Sequence, residues 1–78
     1  MEKMEKTISQ ELYKSLKLKY QAEISEAKAT LLIYFTNPVA IGEHPQHLEE
    51  MDKLLDSMAT ANDKLEMLAE HFNELNTE

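Results

Sequence analysis

The sequence predicts an all-α fold, an antiparallel two-helix hairpin that dimerises into a four-helix bundle. Three observations carry this. An apolar stripe stepping by threes and fours runs from Ile8 to Tyr34, and a second runs from Leu48 to Phe72. Between them, within Leu31 to Pro45, lie the only glycine and both prolines of the chain. Helix 1 is expected at about 3–36, the hinge at 37–44 and helix 2 at about 45–76, in a single helical-hairpin domain spanning 1–78.

Helix 1 opens in the charged stretch MEKMEK. Thr7 with Gln10 matches a capping box, so the helix starts there or runs through it from near Glu2. No glycine or proline interrupts the chain as far as Phe35, and Ile8, Leu12, Leu16, Tyr20, Ile24, Ala27, Leu31 and Tyr34 share one face. Residues 8–36 would span roughly 43 Å at about 1.5 Å per residue, which calls for a long companion.

The hinge reads TNPVAIGEHP. Pro38 disfavours helix at Asn37, Gly42 supplies the positive φ of a reversal, and Pro45 suits the first turn of a new helix. Thr36 and Asn37 can bond the open groups of the first helix end, and residues 44–47 can cap the second. Val39 and Ile41 are apolar residues among turn formers; either they plug the end of the bundle or, with His44, they are presented to a partner.

Helix 2 carries Leu48, Met51, Leu55, Met58, Asn62, Leu65, Ala69 and Phe72 as an unbroken heptad pattern. Glu49, Glu50 and Asp52 complement the positive end of its dipole. Folding back places partners where residue numbers total about 82, with Tyr34 facing Leu48 and Tyr20 facing Asn62. The asparagine then meets the tyrosine hydroxyl, points to water, or meets its own copy. A further set remains outside these stripes, namely Leu54, Ala61, Leu68 and Leu75 with Tyr13, Leu18, Leu32, Ile33 and Phe35. Two helices have no further face to cover them, so they are the expected interface of a homodimer.

Composition excludes much. The chain has 78 residues and no cysteine, so disulfides and thiolate metal sites are ruled out. Its longest apolar run, Leu31 to Phe35, is far short of the roughly 20 residues of a membrane span, and no hydrophobic signal segment follows the start. The expectation is a cytoplasmic protein without membrane contact. Net charge is −7, unevenly divided: residues 1–36 hold six lysines and five acids, residues 37–78 two lysines and ten acids. There is no arginine, so direct nucleic-acid binding is not expected.

Catalytic signals are lacking. His44 and His47 lie near Glu43 and Glu50, but Pro45 separates them, and no histidine has a glutamate three residues before it as in di-iron bundles. His71 beside Glu70 reads as a solvent-side residue. No phosphate loop or activated serine occurs, and Met51 and Met58 fall on the core stripe. The reading is of no enzyme, no catalytic residue, no metal and no cofactor.

Asn37 through Pro45, followed by Asp63, Lys64 and Leu65, resembles an N-P-V-(A or G)-I-G-E-H-P hinge with an acidic helix ending in D-K-L. This pattern belongs to small uncharacterised proteins of tailed bacteriophages of the T-even-like and cyanophage kind. The resemblance covers Phe35 to Leu68, about half the chain. It implies a phage origin, an accessory or host-directed role in the host cytoplasm or the virion, and no catalytic residues.

Three functions compete on these grounds. The first is a non-enzymatic, self-associating interaction or structural module. The second is an acidic nucleic-acid mimic that inhibits a host protein, for which carboxylates in two rows on one exposed face would be the signature. The third is a metal-binding bundle, which a metal would stabilise.

Overall fold

The computed structural model describes residues 2–37 and 47–77, with side chains from Thr7 onward. The described residues form two α-helices, α1 over Glu2–Thr36 and α2 over His47–Phe72, and a 3-10 turn over Asn73–Leu75 closes the second. They fold as a hairpin. The Tyr34 and His47 rings meet edge-to-face at 5.5 Å at one end. At the other, Leu75 lies beside Ser9 and Leu12. The rod measures 58 × 18 × 16 Å.

α1 begins at Glu2, so Thr7 sits within the helix and not at its N-terminal boundary. Its hydroxyl-bearing residues avoid competing with the helix by bonding back one turn: Ser15 Oγ donates to the Glu11 carbonyl at 2.9 Å and Thr30 Oγ1 to the Glu26 carbonyl at 3.1 Å. At the C-terminal end, Thr36 Oγ1 donates to the Leu32 carbonyl at 2.6 Å and the Asn37 N–H to the Ile33 carbonyl at 2.9 Å. These bonds satisfy carbonyls near the helix end. Pro38, Val39, Ile41, Gly42, His44 and Pro45, on which the hinge expectation rests, lie outside the described residues.

α2 stops sooner than the expected 76. Its last turn tightens from Asn73, and Asn76 is already extended at φ −76°, ψ 121°. Glu49 and Glu50 stand in its first turn, the sign that the helix dipole favours there, and His71 stands in its last.

The two helices meet along a narrow seam. On α1 it follows Gln10, Tyr13, Lys17, Tyr20, Ile24, Ala27, Leu31 and Tyr34 in alternating steps of three and four; on α2 it follows His47, Met51, Leu54, Met58, Ala61, Leu65 and Leu68. Tyr13, Ala27, Leu31 and Ala61 are the buried hydrophobics, and Ala61 is 0% exposed. The register matches the expected total of 82. Tyr34 with His47 gives 81, and the Lys64 ammonium, 5.3 Å from the Tyr20 ring centroid, gives 84.

Half of each expected stripe is thereby corrected. On α2, Leu54 and Ala61 enter the seam while Leu48 and Leu55 stay outside, Leu48 at 80% exposure. His47 takes the place against Tyr34 that was expected of Leu48. On α1 the seam holds from Tyr20 to Tyr34, but Ile8, Leu12 and Leu16 are exposed. The cause is periodic: a step of four overshoots one helical turn by about 40°, so three consecutive steps back from Tyr20 rotate a residue about 120° off the seam. Asn62, exposed, donates through Nδ2 to the Glu66 carboxylate at 3.4 Å, and Lys64 takes the place above Tyr20.

Candidate interaction surfaces

In an antiparallel pair, residues one position past each inner seam residue fall on a common flank, and those one position before fall on the other. The surfaces of the rod follow from this.

The first flank carries Lys14, Leu18, Lys28, Leu32 and Phe35 from α1 and Leu48, Leu55, Asn62, Glu66 and Ala69 from α2. Apart from Leu18, its large apolar members are concentrated at the hinge end. Leu32, Phe35, Leu48 and Leu55 are all exposed, Phe35 at 67%. In register, Phe35 stands beside Leu48. Four large exposed side chains toward one end of a flank are the kind of surface that marks an interface.

The opposite flank divides in two. Beside Ala27, Ala29 and Leu54 runs an open groove rimmed by the polar residues Glu23, Glu26, Thr30, Asp56, Ser57 and Thr60. Nearer the chain ends lies a short apolar groove formed by Leu12, Tyr13, Leu16, Leu68, Phe72 and Leu75. The apolar residues that drift off the α1 seam line its near wall.

The back of α2 is acidic. Glu49, Asp56, Asp63 and Glu70 follow one another seven apart, Asp52 and Glu66 stand in a neighbouring row, and all are exposed. The corresponding line on α1 is Ser15, Ala22 and Ala29, small and uncharged. The charged contacts at the surface are light: Lys53 lies 3.9 Å from Glu50, and His71 lies 4.0 Å from Glu70. Exposed pairs of this kind contribute at most about 1 kcal/mol each.

Of the interface candidates named from sequence, Leu18, Leu32, Ile33 and Phe35 are exposed. Tyr13 and Ala61 are corrected: both are buried between the helices of a single chain. Leu54, Leu68 and Leu75 are half-buried in the hairpin and also line the open grooves of the opposite flank. Val39, Ile41 and His44 lie outside the described residues. Leu48, Leu55, Leu12 and Phe72, assigned to the core from sequence, are surface residues instead. One signal could have found this: of the two competing lines on α2, only 48-55-62-69 contains an asparagine.

Among the described residues no cluster of three histidine, cysteine or acidic side chains is placed to hold a metal ion. No described helix is long and apolar enough to cross a membrane. Compared with known family models, curated proteins and solved structures, the chain matches none.

Proposed function

We propose that this protein is a non-enzymatic interaction or structural module whose working unit is a homodimer of helical hairpins, packed as a four-helix bundle. The observation that carries this is surface left over. The single chain exposes 6290 Å², whereas a compact monomer of 9.0 kDa would expose roughly 4,900 Å². The radius of gyration, 17.2 Å, exceeds the roughly 11–12 Å of a compact domain of this length. No large side chain is fully buried among the described residues. The excess, on the order of 1,400 Å², exceeds the roughly 800 Å² that each partner contributes to a standard interface.

A phage origin gives such a module a setting, as an accessory protein acting on a host protein or within the virion. Light scattering on size-fractionated protein at micromolar concentration tests the assembly. A mass twice that of the chain is expected, and a folded monomer near 9.0 kDa would overturn the proposal.

A second reading is supported by the back of α2, where carboxylates stand in two rows on one exposed face. In this reading the acidic helix imitates nucleic acid and occupies the basic site of a host protein. It predicts binding to a basic partner that weakens steeply between about 50 and 500 mM salt, as the Debye length shortens. Salt-insensitive capture would set this reading aside.

A further inference from the structure

We infer that the second copy packs on the flank bearing Leu32, Phe35, Leu48 and Leu55, about a two-fold axis running along the rod, so that both hinges lie at the same end. The inference rests on the self-association just proposed and goes beyond it by naming the face and the direction.

The first argument is the position of the apolar patch. Two hairpins meeting flank to flank can be related by a two-fold axis parallel to the rod or perpendicular to it. The parallel axis brings each point of the flank against the same level of the partner, so the patch meets its own copy. The perpendicular axis turns the partner end for end. It sets Phe35 and Leu48 against the other half of the flank, where Lys14, Asn62 and Glu66 stand with a single large apolar residue, Leu18. Apolar side chains would then cover charged groups and strip them of water without partners, at a cost that excludes the arrangement in competition with the first.

The second argument is charge and is independent of the first. With the parallel axis, α1 of one copy lies along α2 of the other. Lys28 comes level with the partner's Asp52, and Lys14 comes level with the partner's Glu66. The perpendicular axis stacks like on like, placing α2, which bears seven acids and two lysines, along α2. Opposed like charges disfavour that association.

The third is extent. A face of a rod measuring 58 by 18 Å projects roughly 1,000 Å², enough for the roughly 800 Å² per partner of a stable interface. The opposite flank serves less well, because an open groove with a polar rim interrupts it between Glu23 and Thr30.

The chain has no cysteine, so single substitutions Thr36→Cys and Thr77→Cys each give one spin label per copy, at the hinge end and the free end. Pulsed electron spin resonance on the dimer should return separations of about one bundle width for both, roughly 20–30 Å. Separations approaching the 58 Å length of the rod for both variants would overturn the orientation and leave the dimer standing. No intermolecular coupling, with a monomer mass, would instead remove the self-association beneath it. To identify the face, Leu55→Asp should raise the dimer dissociation constant more than tenfold and Leu12→Asp less than twofold. Both residues are exposed in the single chain, so neither substitution is expected to unfold the hairpin. The reverse order of effects would move the interface to the other flank and overturn the inference.

Discussion

From Tyr20 to Tyr34, α1 presents Ile24, Ala27 and Leu31 to its partner helix; from Thr7 to Lys17 it presents Gln10, Tyr13 and Lys17, while Ile8, Leu12 and Leu16 stand in solvent. The hinge half is a matched seam and the free half a mismatched one. Both halves are helical, but the hinge half is also the more apolar in composition. Phase widens the difference, because alternating steps of three and four keep a residue on the seam and a run of fours carries it off. The same drift that weakens the free half inside the hairpin builds the apolar groove on its outside.

The sharpest break of this comparison is at Ala61. Ala61→Glu puts a carboxylate where no solvent reaches and should cost about 3 kcal/mol or more, read as loss of the helical signal or a collapse of the urea midpoint. A variant that melts like the parent would mean the α2 seam runs instead through Leu55 and Asn62. Next comes a pair. Leu31→Ala, in the matched half, should lose about 2–4 kcal/mol. Leu12→Ala, at 61% exposure, should lose less than about 1 kcal/mol. Equal losses in the two would erase the difference between the halves.

A change that sharpens the comparison is Gln10→Leu, which gives a half-buried seam position an apolar side chain. A gain of about 1 kcal/mol is expected in the urea midpoint, and a decrease would contradict the placement of Gln10 on the seam. The smallest effect belongs to Lys64→Ala, which removes the ammonium above Tyr20 and should cost about 0.5–1 kcal/mol. If a double-mutant cycle with Tyr20→Leu shows no coupling, that contact carries no stability.

The fold was legible because its signals are redundant. Long uninterrupted stripes and a cluster of turn formers agree on two helices and one reversal, and a register near 82 follows from where they meet. The seam on α2 was harder to read. Met51, Met58 and Leu65 belong to it under either reading, but Leu48 and Leu55 are as apolar as Leu54 and Leu68, so periodicity identifies a helix without saying which neighbouring line turns inward. Local chemistry decides it: Ala61 fits a close approach of two backbones and Asn62 does not. The candidate surfaces were legible in kind and misplaced in detail for the same reason. Leu32 and Phe35 were read as outward-facing and are, while Leu54 and Ala61 exchanged roles with Leu48 and Leu55.

The account stands on one claim, that a lone hairpin with this much exposed surface holds together chiefly by acquiring a second copy. Thermal unfolding followed by circular dichroism at about 1 and 100 µM protein tests it directly. If folding is coupled to association, the midpoint should rise with concentration by about 5 °C or more over that range. A midpoint independent of concentration, with full helical signal at the lower one, would show that the single hairpin is sufficient and contradict the claim.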